Sequence, residues 1–364
     1  MLKVFWRIFF SVSILFLLSV TSLPAQIFDS SSGSNKNNFH ISVEPVISYS
    51  TGHLGEILYH SSPSDKKISY LEWERNIFLF GANIHAAYKN LHFEAGFASS
   101  LFDQNSGTME DSDWLNESDY SMKTTFSTGD NEAVENYEAK FSLSYDFETT
   151  KWLTFSPVLN VRYYYDSFER RNADGWYTGT SRNGTKYSSD GQYHWWYDDD
   201  STHFPYSVWS EEKGRYVTYK LGGIDFYRHS FFTLFGFKTK FSPFKRLNID
   251  FSVLLSPFSY FYAVDSHTAQ DSATKEKYKK HYRQIQFSYF NVLSLGIGAK
   301  FYLNKIFDIS LRTNYLFNFD VARGTLYADT FNDVRQDSYH NTGQDSGMEF
   351  ENFTVSLGCK VKIF

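Results

Sequence analysis

The chain has one cysteine, Cys359, so no disulfide can form within it. It has no block of lysine and arginine, and its formal net charge is only -6, so nothing in it calls for nucleic acid. Past the first 25 residues no segment reaches the ~20 apolar residues of a membrane helix. There is no nucleotide-binding loop, no Cys/His zinc spacing and no Gly-x-Ser-x-Gly elbow. "DSDWLNESD" (111–119) lacks the central glycine and the terminal bidentate glutamate of a calcium loop. No cofactor and no metal are expected.

What is present begins at the N-terminus. "MLKVFWRIFFSVSILFLLSVTSLPAQ" has Lys3 and Arg7, an apolar run from Ile8 to about Val20, and a small-residue exit near Ala25. This is the pattern of a secretory signal peptide over residues 1–25, with the mature chain, 26–364, starting near Gln26 as one domain. A retained anchor is the alternative, since Leu23 is bulky for its position, but the run is short for a span and a polar stretch follows.

The mature chain is rich in aromatics, 20% of all residues with 37 Phe and 27 Tyr, yet its mean hydropathy is negative. An exported, aromatic-rich chain without spanning helices fits an all-β outer-membrane barrel. Alternation agrees. "LNIDFSVLL" (247–255) puts Leu247, Ile249, Phe251, Val253 and Leu255 on one face, and "FTVSLGCKVKI" (353–363) alternates likewise from Phe353 to Ile363. A soluble sandwich would alternate too, but has less use for so many Phe and Tyr.

Strands are expected near 39–51, 66–88, 90–102, 134–148, 152–168, 216–241, 245–264, 279–303, 306–319 and 348–363. The joints at 89–90, 148–151, 243–245 and 304–305 are tight, and those at 52–65, 103–133, 169–215, 265–278 and 320–347 are long and polar. Short turns alternating with long loops predict a ten-stranded antiparallel transmembrane barrel that rises above the outer membrane, its long loops outside. The Trp- and Tyr-rich loop 169–215 reads as an extended outer hairpin rather than a carbohydrate-binding surface.

Two clusters fall on the outer side. "GTMEDSDWLN" (107–116) carries Asp111 and Asp113 just past the third strand, and "AVDSHTA" (263–269) carries Asp265 and His267 at the end of the seventh. In extended chain, residues two apart point to one face, so each pair can converge on a point. A histidine can take a proton from water near neutral pH when a carboxylate fixes its tautomer, and a second carboxylate pair can hold that water. Spacing alone favours a blander account, two solvated acidic loops and a stray histidine, since 11 histidines and 41 acids produce such pairs by chance. Parity is also adverse. Asp265 and His267 share the odd positions of the lipid face 247–255, and only a bulge or bend near Pro257 would turn them inward.

At these residues the chain resembles the omptins, a family of ten-stranded outer-membrane endopeptidases. "GTMEDSDW" is similar to the family's Gly-x-Met-x-Asp-x-Asp-Trp loop and "DSH" (265–267) to its Asp-x-His. "KKISYLEW" (66–73), "GEILY" (55–59) and "ENYEAKFSL" (135–143) resemble its second strand, first loop and fourth strand. The resemblance implies cleavage of surface peptides or proteins without a covalent intermediate. Asp265 orients His267, His267 is the general base, Asp111 holds the water with it, and Asp113 supports the water or the tetrahedral intermediate. Glu56 matches an acid of the pocket for a basic side chain.

The departures carry information. A second pocket acid is here Ala263, which relaxes the expected preference for basic residues. The family's Trp-Thr-Asp-x-Ser-x-His-Pro segment is replaced by "TTFSTGDNEA" (124–133). Its lipopolysaccharide-binding Glu and Arg are here Tyr165 and Ser167 of "RYYYDS" (162–167), which argues against lipopolysaccharide dependence. The expected contacts are then peptide substrates and outer-membrane lipid. The competing reading is a non-catalytic barrel acting as adhesin or pore.

Overall fold

The computed structural model describes residues 39–61, 65–116, 118–178, 194–198, 206–211, 214–220, 222–270, 277–329 and 339–363. The expected signal peptide lies outside them. The strands are β1 (Phe39–Tyr59), β2 (Lys67–Glu74), β3 (Ile77–Tyr88), β4 (Leu91–Ser99), β5 (Gln104–Asp113), β6 (Thr125–Tyr145), β7 (Phe147–Thr150), β8 (Leu153–Tyr177) and β9 (His194–Asp198). They continue as β10 (Tyr206–Ser210), β11 (Arg215–Lys220), β12 (Ile224–Phe244), β13 (Leu247–Gln270), β14 (Lys277–Ser288), β15 (Val292–Tyr302), β16 (Phe307–Asn318), β17 (Ala322–Ala328) and β18 (His340–Lys362).

Backbone pairing closes the sheet. β1 pairs with β3, then β4, β6, β8, β12, β13, β15, β16 and β18 follow in order, and β18 returns to β1, every pair antiparallel. This is a barrel of ten strands, as the alternation of tight and long joints predicts. Higher up the same ring continues with β2, β5, β14 and β17 replacing β3, β4, β15 and β16. Each of those four traverses is broken at one level, at 75–76, 100–103, 289–291 and 319–321.

That level is the top of the lipid-facing band. Below it the outer face carries exposed side chains such as Phe78, Phe141, Phe235, Phe251, Val253 and Leu311, and at the breaks themselves stand Leu101, Phe102, Phe290 and Phe319. A belt of apolar and aromatic side chains in water would be costly; against lipid it is the expected finish of a spanning barrel. Above the breaks the strands run on for several residues more than the sequence suggests. β1 reaches Tyr59, β8 reaches Tyr177, β13 reaches Gln270 and β18 begins at His340. The expected loops 52–65, 103–133, 265–278 and 320–347 are therefore largely strand. The period-two signal fades there because the outer face of an extension in water is polar too.

Above the breaks the lumen is plugged. Trp73, Phe168, Phe226, Phe232, Phe261, Phe350, Met109 and Met348 are all almost fully buried. Trp73 stacks on Phe168 at 6.0 Å and on Phe226 at 5.1 Å between centroids. Each such side chain removed from water contributes roughly 1.5–3 kcal/mol. Close to this plug lies a charged set in which the buried Arg75 donates to Asp166 at 2.8 Å, to Ser50 at 2.6 Å, to Asn352 at 2.9 Å and to Glu138 at 3.2 Å.

Candidate active site

Two backbone irregularities turn the acid clusters into the lumen. On β13, Thr233 of β12 pairs with Phe258 but Phe235 pairs with Leu255, so Ser256 and Pro257 together oppose one residue. Before this bulge the odd positions face out, Phe251 being 50% exposed. After it Phe261, Ala263 and Asp265 are buried. The bend near Pro257 that the inward reading requires is present, and β13 exchanges its partner β15 for β14 at the same place.

The third traverse does likewise. Pairing of β5 with β6 slips between Asn105 and Gly107, leaving Ser106 as the extra residue. Gly107 has φ +109, a conformation that L side chains rarely adopt, and a Cβ there would run into the Glu74 carboxylate. Past the slip the odd positions turn inward, Met109 first, then Asp111. The first glycine of "GTMEDSDW" is thus the device that aims its aspartates. Asp111 and Asp113 belong to strand β5 and not, as the sequence suggests, to a loop beyond the third strand. Glu56 likewise lies within β1 rather than in the first loop.

The side chains then meet across the lumen. His267 Nε2 lies 2.9 Å from Asp265 Oδ2, and the Tyr282 ring sits edge-on to the imidazole at 5.6 Å. The charges of Asp265 and Asp111 raise the imidazole above its ordinary value against the opposing pull of burial. Across the lumen, burial and the adjacent Asp113 push the Asp111 carboxyl up to about 7, with Arg170 and His267 pulling it down. Each of Asp111 and His267 thus favours the charged form of the other. Asp113 accepts a short hydrogen bond from the Thr125 hydroxyl. In register, Glu56, Leu71 and Asp111 form one row across β1, β2 and β5.

Glu56 is buried beneath this cluster. It accepts from Gln284 Nε2 at 2.7 Å, while its second oxygen, Oε2, has no hydrogen-bond partner. Burial and then Asp265 hold its carboxyl well above the usual range, with Arg228 acting the other way. Both Arg228 and Gln284 stand directly opposite Ala263 in the sheet. The space left by alanine is thus framed by a buried arginine and an amide.

Three of these neighbours escape the sequence reading. Arg170 sits just beyond the expected end of the fifth strand, yet its guanidinium is 4.0 Å from Asp111 and donates to Ser127 at 2.8 Å and to the Gly222 carbonyl at 2.9 Å. Arg228 and Gln284 occur in strands with no local motif, and nothing in the linear sequence marks them. The Trp-rich segment 169–215 is described only in part: β9 pairs antiparallel with β8 and parallel with β11. Tyr165 and Ser167 fall on the outer face, where Tyr165 packs with Tyr137 at 4.8 Å and with His229 at 5.0 Å in place of a charged pair. Among the described residues no group of three or more His, Cys, Asp or Glu could hold a metal ion.

Comparison with known proteins agrees with this architecture. The fold is similar to the outer membrane protease OmpT from Escherichia coli, with a TM-score of 0.69 and 15% identity over 92% of this chain and 100% of that one. The translocator domain of the autotransporter NalP from Neisseria meningitidis aligns over 97% of both chains at 7% identity, but with a TM-score of only 0.30. No curated protein sequence matches. The family model described as "Omptin family" matches residues 37–363, nearly the whole described chain, and the protein belongs to the omptin family.

Proposed function

We propose that this barrel is an outer-membrane endopeptidase that cleaves surface-accessible peptides with an activated water, its site facing the exterior. One observation carries the reading: the bulges of β5 and β13 turn Asp111 and the Asp265–His267 pair inward to the same lumen. Two solvated acidic loops would not be buried, bulged inward and electrostatically coupled.

The roles follow from the chemistry. Asp265 accepts from Nε2–H of His267, which leaves Nδ1 with the free lone pair for a water proton. The carboxylate keeps the resulting imidazolium in place. Asp111 holds the attacking water, and Asp113, tethered by Thr125, supports the water or the oxyanion that follows. No side-chain nucleophile is needed.

Glu56 gives the site its substrate preference. Burial and then Asp265 keep its carboxyl protonated above the usual range, and an entering Lys or Arg side chain favours the carboxylate and displaces the proton. Ala263 and Arg228 weaken that pull, so basic residues are preferred but large apolar ones are accepted. With Tyr165 and Ser167 in place of charged lipid ligands, activity does not require lipopolysaccharide. The alternative of a passive pore is opposed by the aromatic plug beneath the site.

The test is digestion of a peptide library by refolded protein in detergent, with and without lipopolysaccharide. Cleavage after basic and large apolar residues, equal in both, is expected. A folded barrel that cleaves no peptide favours the adhesin reading and overturns this one.

A further inference from the structure

At the opposite end of the barrel, on the side of the short turns, the lumen opens into a cavity of about 660 Å³. Its lining runs from His40 and Lys362 at the strand ends up to Tyr164 and Leu254 under the plug. This volume is in the range of small-molecule sites. Eight Lys and Arg side chains line it against four Asp and Glu; with Glu44 and Asp146, which pair with lining side chains from behind, the excess is two positive charges.

Most of those charges neutralise one another. Glu44 is held by Arg312 at 2.7 Å, by the Ser310 hydroxyl and by His85 at 2.8 Å. Glu94 takes Lys140 at 2.6 Å, and Asp146 takes Lys240 at 2.8 Å. Asp308, opposite Lys360 in register, lies 3.4 Å from Lys362 instead. Among the described residues no hydrogen bond or ion pair reaches the ammonium groups of Lys300 and Lys360. Lys360 is only 7% exposed, and the two lysines are close enough to repel each other. A buried ammonium beside a second one, with no partner, is costly, and either sheds its proton or takes up an anion.

We propose that this turn-side cavity is a binding site for a small phosphate-bearing anion, with Lys300 and Lys360 as its ligands. The chemistry favours phosphate over carboxylate. Planar carboxylates are best met by the fork of an arginine, and the Arg312 fork is already taken by Glu44. Two ammonium groups with rotatable donors suit a tetrahedral dianion, whose charge equals the local excess. The site is separated from the acidic outer cluster by the aromatic plug and does not depend on the peptidase reading.

The test is calorimetric titration of the full-length refolded protein in phosphate-free, low-salt detergent, with inorganic phosphate in one arm and glycerol 3-phosphate in the other. Stoichiometric binding of either supports the proposal: a tighter first arm identifies the free ion, a tighter second arm an ester. The double variant Lys300→Met/Lys360→Met should lose at least tenfold in affinity. It should also be no less heat-stable than wild type without phosphate, and no longer gain stability when phosphate is added. If the double variant does not refold, Lys300→Gln alone should weaken binding at least threefold. Absence of binding to wild type, unchanged affinity in a folded variant, or a variant less heat-stable than wild type in phosphate-free buffer would overturn the proposal.

Discussion

The Nε2 atom of His267 lies 2.9 Å from Asp265, two residues back on β13, and both side chains face the lumen only because Ser256 and Pro257 form a bulge below them. Without that extra residue the dyad would lie on the outer surface of the barrel. The proposed catalysis depends on a register shift, and the consequences can be measured.

The pH profile follows from the two perturbed groups. Only neutral His267 accepts a proton, and its charge neighbours raise it above its usual value. Asp111 must be ionised to hold water in an accepting geometry, and its carboxyl is pushed up to about 7. Both requirements have one sign: activity rises with pH and reaches its plateau above pH 7. Initial rates on one peptide from pH 4 to 9 check this. An optimum near pH 4 would point to a carboxylate pair as the base and remove His267 from that role.

Specificity should respond to pH as well. Glu56 attracts a basic side chain only after losing its proton, and its pKa is raised. The kcat/KM ratio for lysine over leucine at the cleaved position should therefore grow as pH increases, from near one to no more than about tenfold. Ala263→Asp should enlarge it, and Glu56→Ala should abolish it. A strict requirement for paired basic residues in wild type would show that other carboxylates complete the pocket.

The charged set beside the plug predicts a stability effect. Arg75 and Asp166 are both fully buried and joined at 2.8 Å. Asp166→Ala leaves the arginine without its main counter-charge and should cost about 3–5 kcal/mol. Urea unfolding in detergent measures it. A loss below about 1 kcal/mol, the level of an exposed pair, would mean that water reaches the pair.

Much of the architecture is legible in the sequence. The strand number, the tight turns and the lipid face follow from period-two patterning, because below the breaks one face meets lipid and the other a polar lumen. The extensions are harder to read. Around Asp111 both faces of the strand are polar, so "GTMEDSDW" looks like a loop although it pairs with β2 and β6. Asp111 and the Asp265–His267 pair come to face one lumen through the bulges of β5 and β13. Their parity is not readable, since a bulge leaves only Gly107 and Pro257 as traces. Arg170, Arg228 and Gln284 are invisible for a different reason: they come from traverses far apart in sequence and meet the site only when the ring closes.

The most direct measurement is the turnover of His267→Ala against wild type on a peptide that wild type cleaves, with refolding verified by circular dichroism and heat resistance on gels. The imidazole is about one-third exposed, so the barrel should fold unchanged. Loss of the base should lower kcat by roughly 10²–10⁴ with little change in KM. Full activity in the folded variant would contradict the account, because the proton of the attacking water would then have to go to a group other than His267.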